Sequence, residues 1–120
     1  MIHIGTDIES VQRVQKLLIN KPQILKKFYF DSEWNYSIGK ASPAQSLTGI
    51  WCAKEAVIKA IYYYSELSVF DIEITRCPKG IPKVVVHNND ILEKGNLTLS
   101  ISHTKEYATS TAIFEFKNSL

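Results

Sequence analysis

Ala44-Gln45-Ser46-Leu47-Thr48-Gly49-Ile50-Trp51-Cys52-Ala53-Lys54-Glu55-Ala56-Val57-Ile58-Lys59-Ala60-Ile61-Tyr62 is the segment around which the rest of the chain is organised. The preceding Gly39-Lys40-Ala41-Ser42-Pro43 is a turn or loop, so the pattern predicts one long helix from about Ala44 to Tyr62. At 100° per residue Ile50, Ala53, Val57, Ala60 and Ile61 cluster on one face. Trp51, Glu55 and Lys59 form a separate stripe at i, i+4 and i+8. Core and chemistry therefore use different sides of the helix.

Upstream, Ile2 and Ile4 alternate with His3 and Gly5, which predicts a short strand ending at Asp7. Val11, Val14, Leu17 and Leu18 recur at helical spacing through Asn20, with Glu9 placed in the first turn, and Pro22 limits continuation. A second short helix is expected over Gln23 to Phe28. A third is expected over Glu33 to Ile38, capped by Asp31 or Ser32. Downstream the period becomes two: Phe70, Ile72 and Ile74, then Pro82 to His87, then Leu97, Leu99 and Ile101, and finally Tyr107 to Phe116. Asn89 to Glu93 reads as a short helix that Gly95 ends. The fold class is α+β, a single domain over residues 1–120 with a largely antiparallel sheet packed on the long central helix.

The bulk properties fit an ordinary globular domain, with 45% apolar and 22% charged residues over 120 positions. A net charge of +2 is too small to imply nucleic acid or a membrane as partner. Arg13, Lys16, Lys21, Lys26 and Lys27 nevertheless form a run free of Asp and Glu: a solvated helix face, or a dock for an acidic protein. Cys52 and Cys77 match no disulfide or zinc spacing and read as free thiols, which fits a reducing, cytoplasmic setting. Met1 to Asp7 lacks a basic region followed by a long apolar stretch, so neither a signal peptide nor a membrane span is expected.

Three separated segments carry hard oxygen ligands or phosphate-binding groups: Gly5-Thr6-Asp7-Ile8-Glu9, Trp51 to Ala60, and Ser100-Ile101-Ser102-His103-Thr104. Read singly, each has a structural explanation. Asp7 would be a helix cap, Glu55 and Lys59 an i, i+4 salt bridge worth about 0.3 to 0.5 kcal/mol, and His103 a strand-end histidine satisfied by backbone. In their order and spacing the three resemble the signature set of the 4'-phosphopantetheinyl transferases, in the arrangement of the small holo-acyl-carrier-protein synthases. Asp71-Ile72-Glu73-Ile74, the Gly80-Ile81-Pro82 turn and Lys105-Glu106-Tyr107-Ala108 extend the resemblance over nearly the whole chain.

That resemblance implies a Mg²⁺-dependent enzyme that transfers 4'-phosphopantetheine from coenzyme A to a serine of an acyl or peptidyl carrier protein. Asp7 and Glu55 would be metal ligands, with Glu9 a third, direct or through water. One or two carboxylates plus phosphates and waters is the usual complement of Mg²⁺. Lys59 would approach the phosphates, His103 and Thr104 a coenzyme A phosphate, and Glu55 would deprotonate the attacking serine. Arg13 and Lys16 would meet the carrier protein. The resemblance also implies a homotrimer with shared sites, and Tyr62, Tyr63 and Tyr64 with Ile113, Phe114 and Phe116 offer apolar surface to bury. The chain departs from the small-synthase pattern three times: Ile50 stands where an arginine is usual, Ile61-Tyr62-Tyr63-Tyr64-Ser65-Glu66 replaces a Gly-Thr-Gly-like loop, and the Trp51-centred motif with Asp7-x-Glu9 resembles the larger, two-lobed transferases. These departures fit an alternative, a catalytically degenerate module that binds the carrier protein or coenzyme A.

Overall fold

The computed structural model describes residues 1–117. Strand β1 (Ile2–Ser10) leads into α1 (Val11–Asn20), α2 (Pro22–Lys26), α3 (Asp31–Ile38) and the long helix α4 (Pro43–Ile61). A 3-10 turn at Val69–Asp71 precedes the hairpin of β2 (Ile72–Arg76) and β3 (Pro82–Val86). A second turn at Ile91–Glu93 precedes β4 (Gly95–His103) and β5 (Tyr107–Phe116). All pairings are antiparallel, in two sheets: β1-β5-β4, and β2-β3.

Strand alternation and helix periodicity meet in one core. Ala108, Ser110, Ala112 and Phe114 of β5 face inward, and so do Ile50, Ala53, Ala56, Val57, Ala60 and Ile61 of α4. Gly5 explains how close the layers come. A Cβ there would lie 1.9 Å from the Ala56 carbonyl oxygen and 2.7 Å from the Ala60 amide nitrogen, so only hydrogen fits. At the other end Gly49 packs on Ile101, and midway the Cys52 thiol donates to the Ala108 carbonyl at 3.4 Å. Helix α4 therefore crosses the sheet obliquely, from β4 at its start to β1 at its end.

Several expectations are corrected. Strand β1 does not end at Asp7. It pairs with β5 through Ser10, because Ile8, Glu9 and Ser10 find partners in Thr109, Ala108 and Tyr107. Glu9 thus lies in the strand, not in the first helical turn, and Ser10 caps α1 by accepting from the Arg13 amide. Asp7 is consequently no helix cap. Helix α3 starts at Asp31, with Phe30 at the cap position. Its backbone amide donates to the Glu33 carboxylate at 2.8 Å, so neither Asp31 nor Ser32 is the cap. Helix α2 ends at Lys26, short of Phe28. Phe114 is wholly buried and Phe116 stacks on Tyr64 with centroids 4.4 Å apart, so of the three apolar residues expected to remain at the surface in β5, Ile113 alone is exposed. The two cysteines are free thiols, as expected.

Candidate active site

The inward side of β1 carries His3, Gly5, Asp7 and Glu9 by simple alternation, and the contact at Gly5 brings α4 down on it. Asp7 thereby stands beside the Glu55 and Lys59 stripe. The Lys59 ammonium donates to the Thr6 carbonyl at 2.9 Å and sits 3.5 Å from Asp7 Oδ1. It is Asp7, across the fold, that Lys59 pairs with, and no Glu55 to Lys59 ion pair forms. Asp7 Oδ2 is buried and has no hydrogen-bond partner, the one such side-chain atom among the described residues. Burial and the neighbouring Asp7 charge raise the Glu55 carboxyl above its usual range, with a smaller push from Glu9. The same field is felt by Cys52, whose thiol is pushed up to about 12 by burial and then by Asp7.

Two partly buried carboxylates that repel one another, one with an orphaned oxygen, are a polar cluster short of positive charge. A hard cation suits that deficit. Glu9 is not drawn into it. Its carboxylate binds the Arg13 guanidinium at 2.8 Å, and among the described residues no three His, Cys, Asp or Glu side chains converge on one point. An ion here would take Asp7 and Glu55, whose hard carboxylate oxygens suit Mg²⁺.

His103 lies elsewhere. It ends β4, on the flank of α4 where Gly49 meets Ile101, whereas Trp51, Glu55 and Lys59 occupy the opposite flank. There it lines a cleft of about 400 Å³ together with Tyr36, Lys40, Ser42, Gln45 and Arg76. The cleft holds two certain cations and no carboxylate. Lys40 and Arg76 sit 4.4 and 4.8 Å from the Tyr36 ring centroid. Thr104 acts locally. Its hydroxyl accepts from the Glu106 and Tyr107 amides at 3.2 and 3.1 Å and so builds the β4–β5 turn that presents His103. Sequence reading missed Lys40 and Arg76, which no motif marks. Ile50, in the place of the usual arginine, is core and points at neither cluster.

On α1, Arg13 and Lys16 are both exposed, Arg13 tethered by Glu9. Between α1, α2 and α4 runs an apolar groove of about 160 Å³ lined by Leu17, Ile24, Phe28 and Trp51, with Glu9 and Arg13 at its rim.

A fully buried ion pair was also missed. Lys54, the neighbour of Glu55, is turned inward and meets Glu33 at 2.6 Å with both side chains fully buried. Glu33 further accepts from the Phe30 and Ile74 amides, and Lys54 donates to the Phe28 carbonyl at 2.9 Å. Burial raises Glu33 and lowers Lys54 from their usual values, each opposed by the partner. A signal existed, because Lys54 falls at i+4 from Ile50 and i−3 from Val57, on the apolar stripe. A charge there demands a buried partner.

Known proteins resemble this chain in sequence and in fold. Residues 3–112 match the 4'-phosphopantetheinyl transferase superfamily. A holo-(acyl-carrier-protein) synthase of Moorella thermoacetica is 34% identical over 121 residues, covering 96% of this chain and 94% of the relative. One from Caldanaerobacter subterraneus is 37% identical over 118 residues, covering 93% of each. The crystal structure of the Helicobacter pylori holo-(acyl-carrier-protein) synthase in complex with coenzyme A superposes with a TM-score of 0.78 at 29% identity, over 93% of this chain and 99% of that one. Matched over nearly its whole length in sequence and in fold, this chain belongs to the 4'-phosphopantetheinyl transferase superfamily.

Proposed function

We propose that this chain transfers 4'-phosphopantetheine from coenzyme A to a serine hydroxyl of an acyl or peptidyl carrier protein, with adenosine 3',5'-bisphosphate as the second product. The observation that carries the assignment of roles is the buried, unpartnered Asp7 Oδ2 beside Glu55 and Lys59. Asp7 and Glu55 would hold Mg²⁺, which when bound neutralises charge on the pyrophosphate of the donor. Lys59, with its ammonium already anchored on the Thr6 carbonyl, faces the same phosphates as a point charge. Glu55 receives the serine proton. It does so directly or through a water ordered by the metal. Glu9, held by Arg13, acts at most through water.

His103 binds the 3'-phosphate, and the cations Lys40 and Arg76 supply the donors that Ile50 cannot. Because α4 separates His103 from Asp7 within one chain, a single coenzyme A that meets both clusters draws on two copies. The outer face of the β1-β5-β4 sheet supports such an assembly. Ile2, Ile4, Ile8 and Ile113 are exposed there, Ile4 paired with Ile113, among Thr6, Thr98, Thr109 and Thr111. We assign that face to a homotrimer. Arg13 and Lys16 would steer an acidic carrier protein to the groove beside them. No helix among the described residues is long and apolar enough to cross a membrane.

Incubating an apo carrier protein with this chain, coenzyme A and Mg²⁺ is expected to add one phosphopantetheine by mass, and a chelator is expected to stop the gain. Tight binding without any gain would instead establish the degenerate module. Sedimentation over a dilution series should show activity falling as the trimer dissociates. A fully active monomer would sink the shared site.

A further inference from the structure

Lys40 and Arg76 reach the His103 cleft from different elements, one just past the end of α3 and the other at the end of β2. Among the described residues neither makes a salt bridge. What they share is one ring. The Lys40 ammonium lies 4.4 Å and the Arg76 guanidinium carbon 4.8 Å from the centroid of Tyr36, each within reach of its electron-rich face. Arg76 is also tethered through Nη1, which donates to the Gly80 carbonyl at 3.3 Å. The ring itself stands on a rigid mount. One turn before it, the buried Glu33 accepts from the Ile74 amide of β2 at 2.7 Å, and one residue after it the buried Ser37 hydroxyl meets that of Ser46 at 3.0 Å. Helix α3 is thereby pinned both to the strand that carries Arg76 and to the first turns of α4, where Gln45 and Ser46 line the same cleft.

We propose that Tyr36 is a positioning residue for donor specificity: its ring holds Lys40 and Arg76 where, with His103, they distinguish a donor that carries a 3'-phosphate from one that lacks it. The inference rests on the proposed function and gives a neutral side chain the task of arranging its charges. Two long cationic side chains repel one another and sample many rotamers, so ordering both on a phosphate costs conformational entropy. An aromatic face against both offsets the repulsion and fixes where the nitrogens stand, while their remaining N–H donors stay available to an anion. This arrangement lets the chain do without an arginine at Ile50, which is core. The charge comes instead from a loop and a hairpin, and the ring supplies the order that a helix would have given.

Titration calorimetry of the full chain with two donors, coenzyme A and 3'-dephospho-coenzyme A, isolates the 3'-phosphate from the rest of the molecule. Tyr36→Leu is expected to weaken coenzyme A about tenfold, the size of two cation–ring contacts, and to leave the dephospho form unchanged. Transfer at saturating coenzyme A should keep its rate while KM rises, because Tyr36 lines the His103 cleft and not the acidic cluster. Tyr36→Phe keeps the ring and should bind both donors as the wild type does. Pentafluorophenylalanine at the same position keeps the shape but reverses the charge of the ring face, so it should behave as Tyr36→Leu does even where the leucine variant fails to fold. Equal weakening of both donors in these variants, or of neither, would overturn the proposal. So would a wild type that binds the two donors equally, which would also withdraw the 3'-phosphate from this cleft. Variants that behave as expected in a chain that transfers nothing would support the role of Tyr36 and overturn the proposed function.

Discussion

Lys54 and Lys59 sit five residues apart on one helix, each beside a carboxylate, and they make opposite kinds of pair. Lys54 and Glu33 are 2.6 Å apart with no solvent exposure, and both carboxylate oxygens and the ammonium have further partners in the backbone. Lys59 and Asp7 are 3.5 Å apart, the lysine is half exposed, and one Asp7 oxygen has no partner at all. The closed pair ties α3 and β2 to α4 and has nothing left to offer a ligand. The open pair leaves a buried carboxylate oxygen without a partner. Incomplete hydrogen bonding, rather than charge or proximity, is what distinguishes the pair to which the proposed function gives the phosphate and the metal ion.

The comparison breaks most visibly on the closed side. Lys54→Met would leave Glu33 buried and uncompensated, and a loss of about 3 to 5 kcal/mol in unfolding free energy is expected by denaturant titration. That is a large share of the stability of a small domain. Adding Glu33→Gln should recover part of the loss by removing the stranded charge. A Lys54→Met protein as stable as wild type would mean the pair holds nothing together.

On the open side, Glu55→Gln sharpens the contrast because stability and activity should move in opposite directions. The folded protein raises the Glu55 proton affinity, so ionisation of Glu55 opposes folding. That penalty is absent below the ordinary carboxylate value of 4.5 and develops as pH rises through the raised folded value. With a chelator present, Glu55→Gln should melt at or above the wild-type temperature near neutral pH, and the two should converge as the pH falls to about 4. Transfer by the variant should be lost. A variant that melts well below wild type at neutral pH would make Glu55 a structural residue.

The smallest effect is expected at the carrier surface. Reversing Arg13 and Lys16 to Glu should raise KM for the carrier protein and leave coenzyme A binding nearly unchanged, and added salt should mimic the reversal in the wild type. Equal loss of both would place these residues in the donor site.

Much of the fold was legible because its periodicities are clean. The apolar stripe of α4 and the alternation of β4 and β5 come through directly, and β5 spans Tyr107–Phe116 as read. The end of β1 was not legible, since Ile8-Glu9-Ser10 looks like a helix start until the partner strand shows that its backbone is already paired. The aromatic residues of β5 were misjudged for a related reason: alternation gives two faces but not which one the helix covers. Of the candidate site, Asp7, Glu55 and Lys59 come together, drawn by the glycine contact at Gly5. Lys40 and Arg76 reach the His103 cleft from a loop and a separate hairpin, a convergence that no local spacing encodes.

Asp7→Asn tests the central claim most directly, because it removes the charge of the open pair and keeps its shape. Its melting temperature would be measured beside its rate of phosphopantetheine transfer, read as carrier-protein mass with coenzyme A and Mg²⁺ in excess. The account predicts an unchanged melting temperature and transfer slowed by orders of magnitude. Wild-type transfer by the folded variant, or loss of activity only in step with loss of fold, would contradict it.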